Sequence, residues 1–271
     1  MTTPFKIKLF TLMFLVANVL TLRAENISGS YSNDCTSLVK LWDLTGTYTE
    51  DNGIETESIT MNMDANGVIT GNGHFDLTDD ADSVYLAGDA NISGKVTSAG
   101  KVTRVKLTLK ITSGTGTVTG YDVTFLSTLN ESFEVDDLDR MLIGKASGKI
   151  KLTVPAFGKT RSVPVPTGSV AANLPDEVDG NWGLTMDATP NGTKTGGTGV
   201  LNLSNGKTID LGVTGTYSSK NDQSKISLKN ADGSKSVALS IVGQSISNNL
   251  SILSLKGKAL GQKLQYSTKT K

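Results

Sequence analysis

His74 is the only histidine and Cys35 the only cysteine among 271 residues. Ser-His-Asp and Cys-His catalysis use an imidazole as base, so His74 is the one residue on which either could be built. In Gly73-His74-Phe75-Asp76-Leu77, an extended backbone turns His74 away from Phe75 and Leu77. That placement reads as a surface or lumen histidine without a catalytic role. One histidine and one cysteine also rule out multi-histidine and thiolate zinc sites. Acidic residues gather at Asp76, Asp79, Asp80 and Asp82, and again at Glu134, Asp136, Asp137 and Asp139. A calcium loop needs carboxylates at set spacings, a glycine at the bend and a closing glutamate. Neither cluster has that order, so both read as solvated loop charge. Paired carboxylates also cleave glycosides, which keeps a carboxylate-based hydrolase as the third functional reading. No catalytic, cofactor or metal residue is assigned, and a non-enzymatic protein is expected.

These residues must be carried by strands. Val105-Lys106-Leu107-Thr108-Leu109-Lys110-Ile111 alternates apolar and polar side chains without a break, which predicts a half-buried strand. Asn205-Gly206 lies between Leu201/Leu203 and Ile209/Leu211/Val213, and Asp232-Gly233 between Ile226/Leu228 and Val237/Leu239/Ile241. Both dipeptides suit a two-residue turn with positive φ, so both predict hairpins. Asn66-Gly67 predicts a third. Short helical turns are expected at 36–42 and 134–141.

The strands fall into an internal repeat. Ile59-Thr60-Met61 resembles Leu184-Thr185-Met186 at a spacing of 125, and Gly73-His74-Phe75-Asp76-Leu77 follows the pattern of Gly199-Val200-Leu201-Asn202-Leu203. Ile92-Ser93-Gly94 through Leu107 matches Val213-Thr214-Gly215 through Leu228 at 121, and Gly144-Lys145-Ala146 matches Gly257-Lys258-Ala259 at 113. The repeats open with Gly46-Thr47-Tyr48 and Gly180-Asn181-Trp182. Residues 154–178 hold four of the six prolines, and proline interrupts sheet pairing. The expected organisation is a leader at 1–24, an N-terminal segment at 25–40, a first β repeat at 41–153, a proline-containing linker or edge-hugging connection at 154–178 and a second β repeat at 179–271.

The leader is read from Lys6 and Lys8, the apolar run Leu9 to Leu22, and Ala24 before Glu25. This is the order of a secretory signal, and the run is short of a membrane span. Cys35 lies past the cleavage point, so no lipoprotein anchor is expected, and a lone cysteine forms no internal disulfide. Removing three basic residues of 26 leaves 23 against 26 acids. The mature chain is mildly acidic, which argues against general nucleic-acid binding. The expected location is periplasmic or extracellular, without a transmembrane span.

Leu44-Thr45-Gly46-Thr47-Tyr48-Thr49 through Asn66-Gly67-Val68-Ile69-Thr70-Gly71 resembles the opening of avidin- and lipocalin-type (calycin) barrels, and Gly180-Asn181-Trp182 resembles their Gly-x-Trp. The resemblance covers the first two strands of each repeat. It implies an all-β fold of two tandem antiparallel meander barrels, or barrel-like sandwiches, with Tyr48 and Trp182 closing the floors and small ligands held inside. The later tryptophans of the avidin biotin site have no counterparts, so biotin binding is not carried over. Gly46, Tyr48, Gly94, Gly144, Gly180, Trp182, Gly215 and Gly257 are the expected equivalent positions of the repeat. The first functional expectation is a binding protein for a small apolar molecule or a glycan. The second is a structural or interaction protein of the cell envelope or matrix, with an envelope protein as partner.

Overall fold

The computed structural model describes residues 27–51, 55–99, 102–246 and 249–268. The expected leader lies outside the described residues. The chain forms β1 (Gly29–Asp34), β2 (Gly46–Asp51), β3 (Glu55–Met63), β4 (Val68–Asp79), β5 (Val84–Ala99), β6 (Val102–Val118), β7 (Tyr121–Asp136) and β8 (Met141–Val154). After a one-turn 3-10 helix (Pro155–Phe157) follow β9 (Lys159–Asn173), β10 (Trp182–Asn191), β11 (Lys194–Leu203), β12 (Thr208–Ser218), β13 (Gln223–Asn230), β14 (Ala238–Ile246), β15 (Asn249–Ala259) and β16 (Gln262–Ser267). The fold is all-β. Residues 36–38 and 137–140 make turns where helix was anticipated.

Two eight-stranded antiparallel sheets result. The first runs in order β2 to β9. The second runs β1, then β10 to β16. The three hairpins read from Asn-Gly and Asp-Gly join β3 to β4, β11 to β12 and β13 to β14, with Gly67, Gly206 and Gly233 at φ of 76°, 83° and 78°. Alternation holds as expected on β6, where Val105, Leu107, Leu109 and Ile111 are buried and Lys106 and Lys110 exposed.

The division of the chain departs from expectation in two places. The 25–40 segment supplies β1, which pairs with β10 from Gly29↔Ala188 to Asp34↔Gly183. The first sheet is therefore inserted in the chain between two neighbouring strands of the second. Residues 154–178 are not a free linker, because they carry β9, the edge strand beside β8. Pro164 and Pro166 sit on that edge, where a missing N–H costs no ladder bond.

Closed or nearly closed barrels, or barrel-like sandwiches, were expected; among the described residues no ladder joins β2 to β9 or β1 to β16. The sheets curl and stay open, with β2 reaching β9 and β1 reaching β15. Closure removes exposed edges, but short or proline-bearing edges serve the same end. Here β1, β2 and β16 have six residues each and β9 carries the prolines.

Equivalent blocks of the repeat fall on strands of equal rank: β3 with β10, β4 with β11, β5 with β12, β6 with β13, and β8 with β15. The register is looser, since Gly94 pairs with Leu107 whereas Gly215 pairs with Ile226, two residues off the sequence match. A shift of two keeps each side chain on its face. The opener pair is wrong. Gly46 starts β2, the first strand of its sheet, while Gly180 precedes β10, the second strand of its own. The counterpart of β2 is β1, which opens Gly29-Ser30-Tyr31. Tyr31 and Tyr48 both turn their hydroxyls back to a carbonyl just upstream, at Ser28 (3.3 Å) and Leu44 (3.0 Å).

The inner faces of both sheets feed one apolar core, in which Leu41, Leu44, Met61, Ile69 and Leu142 join Leu184, Leu201, Leu228, Ile241 and Leu255. Polar contacts lock the junction. Gln262 is fully buried; its Nε2 donates to the Trp42 carbonyl (2.6 Å) and its Oε1 accepts from the Trp42 N–H (3.0 Å). Lys207 Nζ stands 2.6 Å from Asp43 Oδ2 and donates to the Met63 carbonyl at 2.8 Å. Burial pushes the Asp43 carboxyl up, but hydrogen bonds from Lys207, Thr45 and Asn205 outweigh it and hold the group below its ordinary value. Two hairpin tips interlock: a Cβ on Gly67 would lie 2.5 Å from the Leu260 carbonyl oxygen, and one on Gly261 would lie 2.6 Å from that of Asn66.

Candidate functional site

The outer face of the first sheet is built by strand parity. Apart from Glu131 on β7, the inward positions of β5 to β8 are mostly apolar or small, so the alternate positions face solvent. Register places Lys95, Lys106, Ser132 and Lys145 in one row across β5–β8, and Lys110, Thr128 and Lys149 in the next lysine row. Thr108, Asn130 and Ser147 lie between the rows, and Lys151 extends the set. All five lysines of β6 and β8, Lys106, Lys110, Lys145, Lys149 and Lys151, are exposed, as is Lys95. None of these ammonium groups makes an ion pair with a described residue; Arg104 Nε, on the same face, pairs with Glu134 Oε1 at 3.1 Å. With strands ~4.8 Å apart and a rise of ~3.4 Å per residue, the lysines at 106, 110, 145 and 149 mark a rectangle of roughly 10 by 14 Å. Lys95 stands directly opposite Lys106, an arrangement that destabilises a sheet by itself. Hydroxyls and amides fill the space between the cations, with Thr108 Oγ1 donating to Asn130 Oδ1 at 3.1 Å.

Acids lie on the same outer face, on β4 and β5 to one side of the lysine rows. His74 Nδ1 is 2.6 Å from Asp89 Oδ1 and its Nε2 is 3.2 Å from Asp76 Oδ2. The hydrogen bond to Asp89, helped by Asp76, raises the His74 pKa. His74 faces away from Phe75 and Leu77 as the sequence predicted. It lines an open, polar depression of about 430 Å³ with Ser58, Thr60, Asn72, Asn91 and Thr112. Ser58 is the cross-strand partner of His74, whose two ring nitrogens are taken by Asp89 and Asp76. The anticipated loop acids have a local role: Asp79 Oδ1 accepts from the N–H groups of Ala81 and Asp82, and Asp136 Oδ1 from those of Leu138 and Asp139. Among the described residues no group of three or more His, Cys, Asp or Glu side chains is placed to hold a metal ion.

The interior of the first sheet holds a small hollow of about 80 Å³, lined by Tyr48, Glu57, Ile59, Met61, Leu107, Glu131, Phe133, Leu142, Val170 and Ala172 among others. Its walls come from β2, β3 and β6 to β9, so it sits across the curl of the sheet. Burial alone pushes the Glu131 carboxyl up to about 7.

Of the eight repeat positions, Tyr48 alone lines this hollow. Trp182 is buried, and its Nε1 donates to the Val39 carbonyl at 2.7 Å. Gly94, Gly144 and Gly257 lie against the backbone of a neighbouring strand, where a Cβ on Gly144 would lie 2.2 Å from the Ser132 oxygen; Gly215 is less crowded, and Gly180 faces the side chains of Lys40 and Trp42. Tyr85 and Tyr121 are 42% and 50% exposed. Lys95, Lys149, Lys151 and Glu131 were not singled out from sequence; strand parity gives the face of each, and register is what gathers the lysines into rows. Among the described residues no helix is long and apolar enough to cross a membrane. Comparison with family models, with curated proteins and with solved structures finds no match for this chain.

Proposed function

We propose that this is an exported, non-enzymatic interaction protein of the cell envelope or extracellular matrix that holds an acidic polysaccharide on the outer face of its first sheet. The observation that carries the reading is the array Lys95, Lys106, Lys110, Lys145, Lys149 and Lys151, exposed and without acidic partners. A face of like charges costs stability unless an anion neutralises it. Ser132, Thr128, Asn130 and Ser147 supply neutral hydrogen-bonding groups between the cations, as a polymer of acidic and hydroxyl groups requires. Aromatic platforms, on which single-stranded bases stack, are missing from these rows. Export rests on the sequence of residues 1–24. A glycan is favoured over an enclosed apolar ligand because the hollow of about 80 Å³ falls well below the roughly 300–1,000 Å³ typical of such pockets.

Affinity electrophoresis through gels containing polygalacturonate or neutral dextran tests this. Retardation by polygalacturonate alone is expected, weakening with salt as bound counterions are released. The triple variant K106E/K145E/K149E should lose at least tenfold in affinity, with unchanged circular dichroism. Equal retardation by dextran, an unaffected triple variant, or preference for duplex DNA or anionic vesicles would overturn the proposal.

A further inference from the structure

Glu131 is an inward-facing carboxylate on a strand whose neighbouring inward positions are apolar. Leu129 and Phe133 flank it along β7, and its cross-strand partners are Leu107 on β6 and Ala146 on β8. It makes no ion pair or hydrogen bond with a described residue. The strand of equal rank in the second sheet, β14, turns Leu239 and Ile241 inward, both buried. Packing a curled sheet of this kind therefore needs no acid at that place, and an uncompensated one costs free energy. Glu57, on β3, faces the same hollow from the opposite wall. The remaining titratable group of the lining is Tyr48 on β2, whose hydroxyl already donates to the Leu44 carbonyl. β6, β8 and β9 add none, so no lysine, arginine or histidine lines the hollow.

We propose that this hollow is a binding site for a primary ammonium group on a short apolar stem, with Glu131 as counter-ion and Glu57 as a second anionic wall. The stem lies along Ile59, Met61, Leu107, Phe133 and Leu142. A volume of about 80 Å³ exceeds the ~10–15 Å³ that one water needs by this measure, so it admits the end of a ligand and not a large molecule. The same chemistry is offered by a free alkylamine and by a lysine side chain of a peptide. Because the Glu131 carboxyl is raised to about 7 by burial, this counter-ion is charged above neutral pH and protonated below it.

Titration of the full-length protein followed by ¹H–¹⁵N NMR tests the site with three probes at pH 8: n-butylamine, Nα-acetyl-lysine methylamide and 1-butanol. Saturable shifts confined to β3, β6 and β7 are expected with one or both amines, and which of them binds identifies the source. Binding should weaken at least tenfold with 1-butanol, in Glu131→Gln, and at pH 5.5. Glu131→Leu, which copies the apolar lining of β14, should abolish binding while raising the melting temperature. Absence of saturable binding by either amine, equal binding of 1-butanol, or full affinity in a folded Glu131→Gln or Glu131→Leu variant would overturn the proposal. None of these readouts involves the outer lysines, so failure here leaves the polysaccharide test unaffected.

Discussion

At the scale of single residues, the clearest constraint is at Gly257. Its φ is +147°, and a Cβ would stand 2.1 Å from the Ala238 carbonyl oxygen. Gly257→Val should lower stability by roughly 1–3 kcal/mol, through strain and overpacking. The adjacent Lys258 is exposed, and Lys258→Ala should stay within about 0.5 kcal/mol; urea melts of the two variants check the contrast. Gln262 is the reverse case. Its amide satisfies both backbone groups of Trp42, and Gln262→Leu would strand that N–H and carbonyl in the core. A loss of roughly 2–4 kcal/mol is expected. Titration separates two carboxyls. The Asp43 pKa is lowered in the fold, so its contribution is present above the unfolded value and disappears as pH falls through the folded one. The Glu131 pKa is raised to about 7 from 4.5, so stability is fullest below 4.5 and declines as pH rises through 7. Melting temperatures of wild type and Glu131→Gln from pH 4 to 8 should converge at the acid end and separate at the alkaline end. Glu131 was legible in principle, because Leu129-Asn130-Glu131-Ser132-Phe133 alternates and puts the acid on the apolar side. What the string of residues does not show is how far burial raises its pKa, because the hollow's walls come from six strands.

At the scale of elements, hairpins were the most legible feature. Asn-Gly and Asp-Gly satisfy a backbone requirement within four residues, so their geometry is encoded locally. The lysine face is equally local along each strand, but its rows exist only once register sets Lys106 between Lys95 and Ser132. The proline-rich stretch left a linker and an edge-hugging connection both open, because proline breaks a ladder inside a sheet but is compatible with a strand at its edge. Its service there is to block further pairing. Replacing Pro164 and Pro166 with threonine should leave the monomer fold intact and increase self-association, measured by sedimentation velocity. Unchanged sedimentation would show that another feature guards this edge.

At the scale of the whole molecule, the two sheets share one core and a polar seam. Asp43–Lys207, Trp42–Gln262 and the interlocked tips at Gly67 and Gly261 all cross it. Thermal unfolding should therefore be a single transition, with near-ultraviolet dichroism and calorimetry coincident; two separated transitions would mean that the seam contributes little. The repeat in the sequence pointed to two like halves, and their strand order agrees. The exchange of β1 left no local trace, because a six-residue strand carries no record of which sheet it will join.

That exchange has a kinetic consequence. Every ladder but one joins strands that follow each other along the chain, so each can close as its hairpin forms. The exception is β1, whose Ser30 meets Asp187 across 157 positions. The closure entropy of so long a loop grows only slowly with its length, but the partner must first exist. As the chain emerges from synthesis, the first sheet can assemble while the N-terminal strand waits unpaired. The final step of folding is then the return of the earliest residues to a surface made last, and the waiting strand is the segment most open to capture by a chaperone.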